Sequence, residues 1–241
     1  KAVMETIELL HTRGWKNFNQ DLIYGLPGQS LDKWMQSLKQ AADCHPSHLS
    51  IYLLQLEEET PMGKDVADGR LKMLNEDDEW YMFDQAMEYL EGKEFDHYEI
   101  SNFCRPGYEC RHNLRYWKAE EYLGLGAGAV SFKNGGRFMN EPHLKQYVDT
   151  LSTCKQWPVK ELERMSEREL MTDALILGLR LCAGIDLNQF KQRFGVDITS
   201  EYKEIIAYYR DGGLLNIVNG HLKFTKAGYF LSNQVLCQFM A

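Results

Sequence analysis

Residues 18–54 read FNQDLIYGLPGQSLDKWMQSLKQAADCHPSHLSIYLL. The apolar segments 18–24 and 49–54 have the length and composition of buried strands. Between them, a Gly-Leu-Pro-Gly turn precedes a helix from Ser30 to Ala42, whose apolar residues recur at helical spacing. Because a helix that connects two neighbouring strands brings the chain back in the same direction, this pattern predicts a parallel strand pair.

The alternation of strand and helix continues along the chain. A helix is predicted after Asn75, followed by strands at 95–100 and 126–132. This order is typical of an α/β sheet or barrel, although four strands are too few to close an eight-stranded barrel. The first predicted element is a helix with no strand before it, so we expect the sequence to begin inside a longer protein.

Composition and charge narrow the class of protein. The chain has 241 residues, 44% of them hydrophobic, which suffices for one large or two modest domains. Its net charge of −8 lies entirely before Pro158 and argues against nucleic-acid binding. No apolar run reaches the roughly 18 residues that a membrane span needs, and the first residues do not resemble a signal peptide. We therefore expect a cytoplasmic protein, and its six scattered cysteines predict reduced thiols.

The pattern changes from Ser166 onward to three helices, a hairpin and a closing helix. Its markers are a capping box at Ser166 and Glu169, helix starts at Asp186 and Ser200, an Asn219-Gly220 hairpin turn and an N-cap at Thr225. This order predicts a small winged-helix-like α+β domain over residues 158–241, after an α/β part over residues 1–150. Because ten basic residues balance ten acidic ones here, we expect a packing or lid module in preference to a DNA-binding one.

Polar residues in or after the predicted strands mark candidate ligand positions. Asp21 lies inside an apolar strand and shares a face with Asn19 and Ile23, because side chains alternate along a strand. A carboxylate there needs a partner or a wet pocket, so it is either satisfied by backbone amides or available to a ligand. Gln55 and Glu99 lie near strand ends, where such folds bind their ligands.

The segment from Asn102 to Trp117 is predicted to be a loop rich in polar and aromatic side chains. His112 within it is either an ordinary surface residue or a metal ligand, and the residues alone leave both open. Gly124, Gly126 and Gly128 run into a strand, which favours close approach of the backbone to a ligand over a phosphate-binding loop.

Several motifs agree in order and spacing with one known family. They are DLIYGLPGQS (21–30), HLSIYLLQLEEETP (48–61), HYEISNF (97–103), RHNLRYW (111–117), YLGLGAGAVSF (122–132) and the C-terminal GLRLCAGIDL (178–187). Together they resemble the second half of oxygen-independent coproporphyrinogen III oxidase and its relatives in the radical S-adenosylmethionine superfamily. The heme chaperone branch of that family is the most similar.

This resemblance implies the C-terminal part of a partial (β/α) barrel that holds a [4Fe–4S] cluster and S-adenosylmethionine. It implies that Asp21 contacts S-adenosylmethionine, and by position that Gln55 and Val130 do so too. The family's CxxxCxxC cluster motif is absent from these 241 residues, so we expect an N-terminal half to be missing. The alternative is a degenerate relative that has lost the chemistry, and whether the chain is itself an enzyme stays open.

The heme chaperone branch associates an HNxxYW motif with heme, and this chain has it complete at residues 112–117. The resemblance implies that His112 ligates the heme iron while Tyr116 and Trp117 shield the macrocycle. The implied partners are heme or porphyrin and a heme-acceptor protein. Val130 stands where many chaperones carry histidine, which removes a second candidate ligand. The alternatives are an oxygen-independent coproporphyrinogen III dehydrogenase and a non-catalytic interaction module.

Overall fold

The computed structural model describes residues 2–154 and 157–240. The chain divides into two compact units, Lys1–Glu109 and Cys110–Ala241. This division lies before the predicted domain boundary at 150–158, which stays a prediction. No helix within the described residues combines the length and the apolar composition required to cross a bilayer.

The first unit alternates helices and strands, as the sequence predicts. Its elements are α1 (Ala2–Thr12), β1 (Asn19–Tyr24), α2 (Leu31–Asp43), β2 (His48–Leu53), α3 (Pro61–Ala67), α4 (Glu76–Glu91), β3 (Asp96–Glu99) and β4 (Asn102–Cys104). The sheet has the order β1-β2-β4-β3. β1 and β2 are parallel, which confirms the prediction from the helix between them.

Strand β4 corrects the sequence-based interpretation. Residues 102–104 were assigned to a loop, whereas they pair antiparallel with both β2 and β3. A strand of three residues is too short to show an alternating pattern, so periodicity does not reveal it. The loop prediction is also wrong for residues 111–117, which form a helix in the second unit.

Helix α2 attaches the sheet to α4. The side chain of Ser30 caps α2 by accepting a hydrogen bond from the Lys33 N–H. Trp34 and Leu38 are fully buried, and Trp34 Nε1 donates to the carbonyl of Met82 in α4 at 3.0 Å. Replacing a buried aromatic of this kind by alanine costs about 3–5 kcal/mol of stability. The helices therefore cover one face of the sheet firmly.

The two faces of this sheet differ in chemistry. Leu49, Ile51 and Phe103 are buried on the face that the helices cover. The other face of β1 carries Asn19, Asp21 and Ile23, all exposed, which confirms their predicted alternation. On this face of the neighbouring strands lie His48, Ser50 and Asn102, in register with β1. The polar face thus follows from the alternation of polar and apolar residues along each strand.

The second unit contains two three-stranded sheets. Its elements are α5 (Arg111–Trp117), β5 (Val130–Lys133), β6 (Gly136–Asn140), α6 (Leu144–Asp149), a π-helical turn (Thr150–Cys154), β7 (Val159–Arg164), α7 (Glu167–Leu179), β8 (Ile185–Asp186), α8 (Leu187–Phe194), α9 (Ile198–Glu201), α10 (Lys203–Asp211), β9 (Leu215–Val218), β10 (His221–Phe224), α11 (Lys226–Phe230) and α12 (Ser232–Gln238). The sheet orders are β5-β6-β7 and β8-β10-β9, with every pair antiparallel.

The structure contains the predicted order of helices and hairpin, and it confirms the predicted cap, helix end and turn residues. Ser166 and Glu169 form the capping box of α7, and Gly195 ends α8 in the left-handed conformation. Asn219 and Gly220 both have positive φ, at 52° and 77°, as a two-residue hairpin turn requires. The third helix differs from the prediction because it begins at Ile198 and is interrupted at Tyr202.

Two histidines of the first unit are held in environments that oppose protonation. His97 stacks on Phe103, with ring centroids 4.3 Å apart, and burial lowers its pKa to about 4. Burial also lowers the pKa of His48 from its usual value, an effect that the nearby Asp21 charge partly offsets. Because an unfolded histidine has a pKa near 6.5, protons bind the unfolded state more readily in the interval below that pH.

We therefore predict that the first unit loses stability as the pH falls from 7 through 6.5 towards 4. The contribution of His97 amounts to about 1.4 kcal/mol for each pH unit over which only the unfolded state is protonated. His97→Phe should flatten this pH dependence in urea unfolding curves, whereas His45→Asn, at an exposed histidine of the same unit, should not. A His97→Phe protein with the same acid sensitivity as the wild type would contradict the assignment.

Candidate functional site

Helix α5 presents two members of the predicted heme motif on one side. His112 and Tyr116 are four residues apart, a spacing that places side chains next to each other on a helix. Their rings meet edge to face with centroids 4.8 Å apart. His112 is exposed, so its imidazole is accessible to a ligand.

The contact extends into a series of rings that we call the aromatic row: His112, Tyr116, Tyr122 and Phe132. The rings of Tyr116 and Tyr122 are 4.5 Å apart, and those of Tyr122 and Phe132 are 6.3 Å apart. Tyr122 and Phe132 also exchange two backbone hydrogen bonds of 3.0 Å, an isolated antiparallel bridge. The backbone therefore fixes two rings of the row.

A cavity of about 570 Å³ lies beside this row. Its lining consists of His112, Arg115, Glu121, Tyr122, Leu123, Phe132 and Lys133. Leu123 is 68% exposed, so its side chain is open to contact with a ligand. The cavity thus combines an accessible imidazole, an apolar wall, two basic side chains and one carboxylate.

Trp117 is directed elsewhere. It lines a second cavity, of about 910 Å³, together with Phe190 and His221 of the C-terminal module. The guanidinium of Arg180 lies 5.5 Å from the centroid of its ring. Its indole Nε1 is buried and has no hydrogen-bond partner within the part of the chain that the structure describes. The structure therefore brings His112 and Tyr116 together and separates Trp117 from the cavity beside them.

The glycines before Val130 bring the chain close to itself. A Cβ on Gly124 would lie 2.3 Å from the carbonyl oxygen of Val130, so only glycine fits there. At Gly124 the close approach is therefore to the chain's own backbone, whereas the sequence had suggested a ligand. Gly126 and Gly128 have positive φ, at 108° and 70°.

Asn140 holds this glycine segment in place. Its Nδ2 donates to the carbonyl groups of Gly124 and Gly126, at 3.0 and 2.8 Å. Its Oδ1 accepts a hydrogen bond of 2.8 Å from the indole of Trp157. Asn140 is completely buried, and each of its polar atoms has a partner. The buried side chain of Asn140 thus fixes the backbone of the segment that leads into Val130.

In the first unit, Asp21 lies at the end of a hydrogen-bond chain. Tyr98 and Asn19 contact the two ring nitrogens of His48, Nε2 and Nδ1, each at 2.8 Å. Asn19 Nδ2 donates to Asp21 Oδ1 at 2.8 Å. The Oδ1 of Asn19 is therefore the atom that accepts a hydrogen bond from His48 Nδ1–H. The chain of hydrogen bonds therefore holds one oxygen of an exposed carboxylate and requires a proton on Nδ1 of His48.

The other candidate ligand positions have different surroundings. Gln55 is exposed just after β2, and Val130 is half-buried at the start of β5 in the second unit. Glu99, a predicted ligand position, is completely buried and accepts a hydrogen bond from Asn102 Nδ2. Asn102 Oδ1 is also buried, without a partner in the described residues. Asp21 and Gln55 are thus the accessible candidates of the first unit.

The potential metal-ligating side chains are dispersed through the described residues. Within residues 2–154 and 157–240, no three His, Cys, Asp or Glu side chains come together as a metal-binding group. An iron–sulfur cluster of this type requires several thiolates in one place. The described donors therefore do not fit such a cluster, whereas a single exposed imidazole fits the iron of a porphyrin.

Sequence reasoning did not single out Tyr122, Phe132, Asn140 or the Asn19–His48 contact. Tyr122 and Phe132 stand at the two ends of the YLGLGAGAVSF motif. In the structure these two residues pair as an isolated antiparallel bridge. The role of Asn140 depends on a fold that no local pattern encodes.

Comparisons with known proteins agree on one family. The family profile described as the HemN C-terminal domain matches residues 165–231. The heme chaperone HemW of Bacillus subtilis is 30% identical over 240 residues, covering 100% of this chain and 63% of that protein. The heme chaperone HemW of Escherichia coli is 40% identical over 126 residues, covering 51% of this chain and 32% of that protein.

A solved structure shows the same fold. Coproporphyrinogen III oxidase (HemN) from Escherichia coli, described as a radical SAM enzyme, superposes with a TM-score of 0.73 at 17% identity. The match covers 98% of this chain and 58% of that one, so the fold is the C-terminal part of the radical SAM fold. The chain spans 63% and 62% of the heme chaperones HemW of Bacillus subtilis and Lactococcus lactis. Together, the family profile, the relatives and the solved structure support a fragment of a HemN/HemW-like radical SAM protein.

Proposed function

We propose that this chain carries the heme-binding part of a heme chaperone, which holds heme and delivers it to acceptor proteins. The observation that carries the proposal is the position of His112, exposed at the end of the aromatic row and beside an open cavity. Relatives named heme chaperone, at 30% and 40% identity, support the same function.

The chemistry of the cavity suits a cargo that must be bound and then released. A neutral imidazole is a good iron ligand, and the faces and edges of Tyr122 and Phe132 offer apolar contact to a macrocycle. With one protein ligand in an open cavity, the iron keeps a position for an acceptor's ligand. Heme is therefore held by few contacts and can leave without unfolding of the chain.

We further propose that Asp21, Gln55 and Val130 contact S-adenosylmethionine in the complete protein. Asp21 fits such a role because its carboxylate is exposed while Asn19 fixes one of its oxygens. Carboxylate oxygens accept hydrogen bonds from ligand N–H and O–H groups, and such charge-assisted bonds are strong. No ligand set for the family's [4Fe–4S] cluster is found among the described residues, so we assign none of them to it.

Neither alternative has an observation of comparable weight. A coproporphyrinogen III dehydrogenase shares the fold, but that solved structure is only 17% identical to this chain. An interaction module that does not bind heme would not account for the exposed imidazole of His112 beside Tyr116 and the cavity. The relatives at 30% identity or more are named heme chaperones, which favours heme transfer.

We predict that the chain binds heme with a saturable shift of the Soret band and that His112→Ala abolishes this shift, because the imidazole supplies the iron ligand. The measurement is an absorbance titration under reducing conditions. His143→Ala is the matched control, since His143 is an exposed histidine of the same unit outside this cavity. Equal spectra for the wild type and the His112 variant would contradict the proposal.

The orientation of the two aromatic side chains gives a second prediction. Tyr116→Leu should weaken heme binding about two- to twelvefold, because it removes the ring that packs against His112, and an aromatic contact contributes about 0.5–1.5 kcal/mol. Trp117→Leu should weaken binding less, because that indole lines a different cavity. Both dissociation constants are compared after circular dichroism has confirmed that the variants fold. A larger loss for the Trp117 variant would place the heme on the other side of α5.

A further inference from the structure

The cavity beside α5 has two basic side chains in its wall. Arg115 lies three residues after His112, a spacing that separates Cβ atoms on a helix by about 5–6 Å. Lys133 follows Phe132 in β5. Both line the same cavity as His112, and both are exposed. A ligand whose iron meets His112 would therefore have cations within reach.

Two carboxylates, those of Glu120 and Glu121, lie near these basic side chains, and Glu121 already accepts a hydrogen bond from the backbone. Glu121 also lines the cavity, but its Oε1 accepts a 2.6 Å hydrogen bond from the backbone N–H of Asn134. Arg115 Nη1 donates to the Glu121 carbonyl at 3.2 Å and lies 3.8 Å from a Glu120 oxygen. A guanidinium has five N–H donors, so others stay available. Lys133 forms no ion pair within the described residues.

We propose that Arg115 and Lys133 bind the carboxylate side chains of a porphyrin, so that the cavity selects tetrapyrroles by their ionised carboxylates as well as by iron. The proposal rests on the proposed function, since it takes this cavity as the porphyrin site. A guanidinium fork pairs with a carboxylate through two parallel hydrogen bonds, and an ammonium acts as a point charge. The apolar wall of the same cavity, formed by Tyr122, Leu123 and Phe132, suits the macrocycle.

The test uses metal-free protoporphyrin IX and its dimethyl ester, which differ only in the charge of two carboxyl groups. Binding is followed by porphyrin fluorescence in one buffer with the same low detergent concentration. The wild type should bind the diacid about three- to tenfold more tightly than the diester, because two exposed ion pairs contribute modestly. This preference should shrink as the salt concentration rises.

The double variant Arg115→Gln/Lys133→Gln should bind both porphyrins equally. Its control, Lys145→Gln/Lys160→Gln, removes the same charge from exposed positions outside this cavity and should keep the preference. Equal affinity of the wild type for both porphyrins, or a preference that persists in the Arg115/Lys133 variant, would overturn the proposal.

The same probes separate this proposal from the role of His112. Because neither porphyrin contains iron, His112→Ala should retain the preference for the diacid while losing the Soret shift with heme. A retained preference together with an unchanged heme spectrum in His112→Ala would overturn only the iron ligand and would support the carboxylate site. If neither porphyrin binds the wild type, the carboxylate site is overturned, and the heme titration of the wild type decides the proposed function separately.

Discussion

The backbone bridge between Tyr122 and Phe132 is the contact on which the candidate site depends. It closes the glycine segment, and Asn140 holds the interior of that segment through two carbonyl groups. Two rings of the aromatic row and the neighbouring Lys133 take their positions from this bridge. Because the bridge consists of backbone hydrogen bonds, the side chains around it are free to serve a ligand.

The first unit follows a different constraint, which is the opposite chemistry of its two sheet faces. Trp34 and its neighbours bury one face, while the chain from Tyr98 through His48 and Asn19 to Asp21 spans the other. A buried neutral histidine in this chain is costly to protonate, so the polar face is structured at neutral pH and weakens on acidification.

The sequence predicted elements with strong local signals and failed where only tertiary contacts decide. The parallel pair of β1 and β2, the capping box at Ser166 and the Asn219-Gly220 turn all follow from spacing and turn chemistry. Strand β4 and helix α5 were assigned to a loop, because three or seven residues give too little periodicity. The sequence motif places Trp117 close to His112 along the chain. Only the helical conformation of these residues shows that the two side chains line different cavities.

The most direct test of heme binding beside α5 is an NMR titration of the chain with gallium protoporphyrin IX, a diamagnetic analogue of heme. If heme binds there, amide shifts change mainly in residues 111–116, 121–123 and 132–133, where the cavity lies. Changes confined to the polar face of the first sheet, with helix α5 unaffected, would contradict heme binding beside α5.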